Sequence, residues 1–264
     1  MRLASILLMT MLLAVPAGYA ADVQAVLAPL RNGIQESDFR ATGQLVRVDP
    51  NGKRVSYAIS MKGLWFAGAM HTLVEVVPPK GAAAPEQPQE RVRLLLEMRP
   101  DGRDSIRVFR PHEPVPAALP SDQWGDGLWG ATFSYEDLLE PQYFWPGQTL
   151  LKTAVFGTHQ CNVLRSTPGP SDRSEYSEVQ TWLDRVIDYP VYAEKTMKQG
   201  GMVKEFTYFD LRKSSGVWSA TQVEAKIRGR AGSTFLIIKR GSAKAHLSAN
   251  DFRPEQIGNF EDHP

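Results

Sequence analysis

The feature that most constrains this chain is a train of short segments after residue 149, each of strand length and each ended by residues that force a turn. Leu150 to Phe156, His159 to Ser166, Ser177 to Ile187, Tyr192 to Met197, Val203 to Leu211, Val217 to Ile227 and Thr234 to Lys239 are separated by Gly157, Pro168-Gly169-Pro170, Gly200-Gly201 and Ser214-Ser215-Gly216. In the sixth of these, Val217, Ser219, Thr221, Val223, Ala225 and Ile227 alternate with Trp218, Gln222, Glu224 and Lys226. Successive side chains on a strand point to opposite faces, so this segment presents one drier and one wetter face. The regular spacing predicts a meandering antiparallel sheet.

The first half has a similar texture with more interruptions. Phe39 to Val48 and Val55 to Met61 flank Asp49-Pro50-Asn51-Gly52 and read as a β-hairpin. Ala69 to Val77 is a further strand, and Arg91 to Met98 and Asp104 to Phe109 flank the turn Pro100-Asp101-Gly102. Pro78 to Gln89 reads as an exposed loop. Arg110 to Pro120 contains Pro111, Pro114, Pro116 and Pro120, which fix φ and remove donors, so it is expected to be irregular. Asp122 to Gly130 is a Gly- and Trp-rich loop. Ser134 to Leu139 reads as a short helix capped by Ser134, with Glu136 and Asp137 placed at its positive end. One longer helix is expected over Ala21 to Gln35, where Val23, Val26, Leu27, Leu30 and Ile34 form an apolar stripe, Asp22 can cap the start and Gly33 weakens the end.

The N-terminus points to export. Arg2, the apolar run Ile6 to Val15, the helix-breaking Pro16 and the small residues Gly18 and Ala20 stand in the order of a signal peptide cut before Ala21. The apolar run is too short to span a bilayer, and no later stretch reaches the ~20 apolar residues that a membrane helix needs. The only cysteine, Cys161, is far from that cut, so the mature chain is expected to be soluble, not lipid-anchored and without a disulfide. Residues 1–20 are thus read as a signal peptide and 21–264 as a single β domain, large enough to bury a core. Losing Arg2 turns 30 Lys+Arg against 29 Asp+Glu into 29 against 29. That balance argues against nucleic acid as the main partner.

Catalytic signatures are sparse. No Gly-x-Ser-x-Gly elbow or His-Glu-x-x-His motif occurs, and His71, His112, His159, His246 and His263 lack metal-ligand spacing. Cys161 and His159 share a strand face, but a buried inert cysteine is the simpler reading. Glu136 and Asp137 are adjacent, so they do not face each other on a helix, and helix-start electrostatics accounts for them. Asp184 fits either a buried anchor or an exposed strand position. No catalytic residue, metal or cofactor is expected.

From Phe133-Ser134-Tyr135-Glu136-Asp137-Leu138-Leu139 onward, through Gly157-Thr158-His159-Gln160-Cys161, Tyr176 to Val179, Trp182-Leu183-Asp184, Tyr189-Pro190 and Gly201-Met202-Val203-Lys204, the chain resembles the LolA-like family of outer-membrane lipoprotein-sorting proteins. The resemblance is to that family's uncharacterised periplasmic branch. It implies a mainly β (α+β) fold, an incomplete antiparallel β-barrel of LolA/LolB type covered by short helices, here 23–35 and 134–140. It also implies an apolar cavity for acyl chains. The proline-rich segments 78–89 and 110–120 depart from the family pattern, and no arginine equivalent to the one that controls cargo release in the carrier proper is identifiable.

Trp65, Phe66, Trp124, Trp129, Phe133, Tyr135, Tyr143, Phe144 and Trp145 crowd into loops, where large apolar groups often line a site, although ordinary core packing explains them equally well. The candidate ligand-binding set is Trp65, Leu94, Leu96, Met98, Trp129, Phe133, Tyr135, Leu138, Leu139 and Phe144. The expectation is a periplasmic carrier of lipid or lipoprotein acyl chains, with an inner-membrane transporter as candidate partner and no membrane span of its own. The alternative is a non-catalytic platform for an envelope protein, which a hollow filled by the protein's own side chains would favour.

Overall fold

The computed structural model describes residues 17–79, 90–113 and 115–258. The apolar run of the expected signal peptide, most of the 78–89 loop, Pro114 and His263 lie outside the described residues. Helix α1 spans Ala17–Gln35 and so starts four residues before the expected boundary. Asp22 therefore lies within the helix. The apolar stripe holds: Val23 and Leu27 are buried, and Val26, Leu30 and Ile34 pack around them.

Thirteen strands follow among the described residues: β1 (Asp38–Val48), β2 (Arg54–Phe66), β3 (Ala69–Val77), β4 (Val92–Met98), β5 (Ser105–Phe109), β6 (Ala117–Ala118), β7 (Gly147–Phe156), β8 (His159–Thr167), β9 (Tyr176–Asp184), β10 (Pro190–Met197), β11 (Val203–Ser214), β12 (Val217–Ile227) and β13 (Ser233–Ala243). Strand β2 runs five residues past the expected Met61. Its extension depends on Gly63, where a Cβ would lie 2.3 Å from the Phe39 ring and 2.5 Å from the Met70 methyl. Strand β9 stops at Asp184, not Ile187, because the Asp184 carboxylate accepts the N–H groups of Val186 (2.7 Å) and Ile187 (3.1 Å) and turns the chain. Asp184 is thus a buried anchor.

All thirteen strands join one antiparallel sheet, ordered β6-β5-β4-β3-β2-β1-β13-β12-β11-β10-β9-β8-β7. Each half is a meander, as expected from the turn spacing. The halves are joined where β1 pairs with β13, from Phe39 opposite Ala243 to Val48 opposite Ser233. The sheet stays open between β6 and β7; β6 lies inside the 110–120 segment expected to be irregular, its two residues pairing with Arg107 and Val108 where no proline interrupts the ladder. The incomplete barrel is therefore an open sheet.

That topology creates the cover. The chain leaves β6 at one edge and must enter β7 at the other, and residues 119–146 make the crossing. They form 3-10 turns at Ser121–Gln123, Leu128–Gly130, Glu136–Leu138 and Pro141–Tyr143. The turn at Glu136–Leu138 replaces the expected capped helix. Ser134 does not cap it by accepting; its N–H and Oγ both donate to Asp137 Oδ2, at 2.8 and 2.9 Å.

The cover packs on both halves of the sheet at once. Trp124, Leu128, Ala131, Phe133 and Leu139 share one core with Leu45, Tyr57, Ile59, Val74, Leu94, Leu96 and Ile106 from the first half and Ala193, Phe206 and Ala225 from the second. Helix α1 closes the same side by touching β3, β7 and the turn at Pro141–Tyr143, and Arg31 Nε donates to the Tyr143 carbonyl at 2.7 Å. The opposite face of the first half is covered too. There Leu95 and Phe109 pack against Phe252 and Ile257 from the C-terminal turn at Ala249–Phe252 and helix α2 (Pro254–Gly258).

Candidate functional site

Strand alternation brings the ten expected lining residues together. Leu94, Leu96 and Met98 occupy inward positions of β4, and Trp65 ends the inward row of β2 that begins at Tyr57 and Ile59. The other six come from the cover. Leu94, Leu96, Met98, Phe133 and Leu139 are buried, and Trp65, Trp129, Tyr135, Leu138 and Phe144 pack half-buried against the same cluster. Ring contacts tie cover to sheet: Trp65 stacks on Phe144 with centroids 6.0 Å apart, Trp129 meets Tyr57 at 6.0 Å, and Phe133 meets Phe206 edge-on at 5.5 Å.

The inner face of the sheet is occupied by these cover side chains in place of the expected apolar cavity, because the cover descends far enough to bury Trp124, Leu128, Ala131, Phe133 and Leu139 against both halves of the sheet. A surface cleft of about 720 Å³ lies elsewhere, between the 109–116 segment and α2, with Phe109, Pro111, Pro116 and Pro254 among its walls. Two non-glycine residues of the cover adopt left-handed backbone conformations, Trp129 (φ 51°) and Glu140 (φ 49°). Such conformations are costly for residues with a Cβ and persist only when packing enforces them. At Trp129 the carbonyl is held by Arg47 Nη1 at 3.2 Å.

The second component of the site is ionic. Asp137 leaves the cover and enters the core beside three adjacent strands. Its Oδ1 accepts from Lys195 Nζ on β10 at 2.9 Å and from the Tyr176 hydroxyl on β9 at 2.7 Å. Its Oδ2 accepts from Lys204 Nζ on β11 at 3.3 Å and from Ser134. Lys195 and Lys204 stand directly opposite each other in the β10–β11 ladder and are only 1% and 4% exposed. Lys195 Nζ also lies 4.6 Å from the Phe206 ring centroid and 5.4 Å from that of Tyr176. Burial by itself would raise the Asp137 pKa. The two ammonium charges and the hydrogen bonds from Ser134 and Tyr176 outweigh it and hold the carboxyl far below the usual range. Adjacent Glu136 behaves oppositely. Burial pushes it up to about 7, against hydrogen bonds from the Ser174 hydroxyl and the Glu175 N–H (2.8 Å). Helix-start electrostatics therefore does not explain this pair: both carboxylates are buried and tie the cover to the β9 side of the sheet.

Polar groups continue beyond this pair. Glu140, raised by burial, accepts from the Tyr208 hydroxyl at 3.2 Å. Beside it Gln142 Nε2, Tyr143 OH and Thr181 Oγ1 are buried without a well-formed hydrogen bond. At the far end of the gap, Gly102 in the β4–β5 turn meets Asp172 of the β8–β9 loop so closely that a Cβ would lie 2.2 Å from Asp172 Oδ1. Asp104 in the same turn is pushed up to about 7, first by burial and then by the charges of Asp172, Asp101 and Glu97.

His159, Cys161 and Asp184 do come together on β8 and β9. His159 Nδ1 is 2.6 Å from Asp184 Oδ2. The Cys161 thiol, however, donates to the His159 backbone carbonyl at 3.6 Å and not to the imidazole, and burial raises its pKa. A thiol so placed is a poor nucleophile. Among the described residues no group of three or more His, Cys, Asp or Glu is arranged to hold a metal, and no helix is long and apolar enough to cross a membrane.

Lys195 carries no signal by residue type, and Lys204 enters only as the end of the Gly201-Met202-Val203-Lys204 segment, with no role attached. Strand parity carried the signal. Lys195 shares the inward parity of Val191 and Ala193, and Lys204 that of Phe206. A lysine on a dry face requires a buried anion.

Comparison with known proteins places the architecture. A family model described as an uncharacterized protein matches residues 84–259. No curated protein matches in sequence. Among solved structures, a domain named for outer-membrane lipoprotein sorting from Vibrio parahaemolyticus is similar at 19% identity and a TM-score of 0.78, covering 90% of this chain and 99% of its own. A DUF1329 family protein from Desulfovibrio piger is 16% identical with a TM-score of 0.76, covering 89% of this chain and 98% of its own. A LolA superfamily protein from Nitrosomonas europaea is 16% identical with a TM-score of 0.65, covering 88% and 98% respectively. The fold is LolA-like.

Proposed function

Because the chain belongs to the uncharacterized-protein family whose model matches residues 84–259 and has the LolA-like fold, we propose that it is a non-catalytic carrier that shelters acyl chains of a lipid or lipoprotein between sheet and cover. The reading includes export to the periplasm behind a cleaved signal peptide, with 21–264 as the working domain and an inner-membrane transporter as the handover partner. The observation that carries it is the convergence of Trp65, Leu94, Leu96, Met98, Trp129, Phe133, Tyr135, Leu138, Leu139 and Phe144 into one apolar cluster at the open side of the sheet. Six of these ten residues belong to a cover without a regular helix, bridging two unjoined edges.

In this reading the structure is the closed state, its inner face filled by the cover's own side chains. An acyl chain enters by replacing cover side chains on the inner face. Each buried methylene contributes roughly 0.8 kcal/mol, so a chain of about fourteen carbons gains on the order of 10 kcal/mol before the costs of opening and ordering are subtracted. The cover must therefore be held less firmly than the sheet.

The test is native mass spectrometry of protein purified from its own periplasm, with extraction of the released lipid and a fluorescent fatty-acid binding assay. Co-purifying lipid and protected fluorophore are expected; consistent absence of both removes the carrier reading. The filled inner face supports a second reading, a protein-binding platform for an envelope partner. Under it, locking cover to sheet by an engineered disulfide leaves partner binding intact, whereas the same lock abolishes uptake by a carrier.

A further inference from the structure

The β10–β11 ladder places two lysines face to face on the dry side of a sheet. Like charges opposite each other in a ladder repel, and both ammonium groups are removed from water, so the sheet here demands an anion. Three rigid neighbouring strands supply its donors: Tyr176 OH from β9, Lys195 Nζ from β10 and Lys204 Nζ from β11. The anion present is the carboxylate of Asp137, which belongs to the cover and not to the sheet. The donors stay with the sheet when the cover moves, and the anion leaves.

We infer that Tyr176, Lys195 and Lys204 form the head-group site for an anionic amphiphile, whose carboxylate or phosphate replaces Asp137 when its acyl chain displaces the cover. This rests on the carrier reading and narrows its cargo to acyl chains bearing a negative head. A neutral guest that lifts the cover leaves two buried ammonium groups facing each other without a counter-ion. An anionic guest exchanges one carboxylate for another and leaves the ladder neutralised.

The experiment compares three probes on the unmodified mature protein at pH 8: hexadecanoate carrying a fluorescent reporter at its ω end, the methyl ester of the same molecule, and acetate. Hexadecanoate is expected to bind at least about tenfold more tightly than its ester, the margin of one charge-assisted hydrogen-bonded contact. Acetate is expected neither to displace it nor to raise the melting temperature. Lys195→Met with Lys204→Met is expected to bring the acid-to-ester ratio close to one while ester binding persists. Asp137→Asn, which removes the internal competitor, is expected to raise the ratio.

Equal binding of acid and ester by the unmodified protein overturns the head-group site and leaves the carrier reading standing, and it needs no variant to fold. Acetate acting as strongly as hexadecanoate overturns the amphiphile and assigns the cradle to a small free anion. Binding of neither hexadecanoate nor its ester removes the carrier reading and this inference with it.

Discussion

The two ends of the cover are fastened in different ways. Residues 119–133 are held by shape and apolar area: Trp124, Leu128, Ala131 and Phe133 fill the inner face of the sheet. Residues 134–140 are held by charge: Asp137 and Glu136 reach into the β9–β11 side and are met by lysines, a tyrosine, the Ser174 hydroxyl and the Glu175 N–H. Apolar contact is non-directional, and any greasy group of suitable volume can take its place. A buried ion contact is selective, since only another anion can restore what is lost. One end of the seam is therefore tolerant and the other discriminating.

The largest effect should come from the discriminating end. Asp137→Ala leaves Lys195 and Lys204 buried and opposed, and should destabilise the protein by about 3–5 kcal/mol. Adding Lys195→Met and Lys204→Met should recover much of that loss; urea unfolding followed by tryptophan fluorescence measures both. Equal losses in the single and triple variants would break the comparison. At the tolerant end, Phe133→Ala should cost roughly 3 kcal/mol, and the loss should be smaller when a bound hydrocarbon occupies the space, which the same unfolding curves report with and without added dodecane.

A smaller, pH-dependent effect follows from Glu136 and Asp104. Both are held up to about 7 in the folded protein, so between the ordinary carboxylate range and pH 7 the folded state binds protons that the unfolded state has released. Stability is fully supported at low pH by these two groups and declines as pH rises through 7. Asp137 has the opposite sign, and its contribution is lost only in strong acid. The melting temperature should thus be several degrees higher at pH 5.5 than at pH 8, and Glu136→Gln should flatten that slope. Least is expected from the half-buried seam: Trp129→Ala should cost about 1–2 kcal/mol and should speed hydrogen exchange in 119–133 more than in 134–140.

The parts legible in the sequence were those set by local rules. Period-two alternation and turn chemistry located the strands, as with Val217–Ile227, whose boundaries match; its expected dry face holds at Val223 and Ala225 but not at Val217 and Ser219, which are exposed because this end of the strand runs beyond the core. The three-and-four spacing from Val23 to Ile34 located the buried stripe of α1. The apolar partners of the cover were legible because Leu94, Leu96 and Met98 share one parity. What stayed hidden needed pairing across distance. Nothing local links Asp137 to Lys195 and Lys204, and Glu136 and Asp137 next to a serine fit a helix start as well as they fit a core. The filled inner face was likewise out of reach, because whether aromatics line a hollow or plug it depends on how closely the cover descends.

The pairing of β1 with β13 governs how the molecule comes into being. Phe39 finds Ala243 and Val48 finds Ser233 across almost the full chain, so the strand made first waits for the strand made last. Until Ser233–Ala243 emerges, the first half carries an open edge along β1 with no neighbour to satisfy it, and such edges invite association with other chains. Contacts this far apart in sequence also slow folding. The seam between the two halves therefore closes only once Ser233–Ala243 is available to pair with β1.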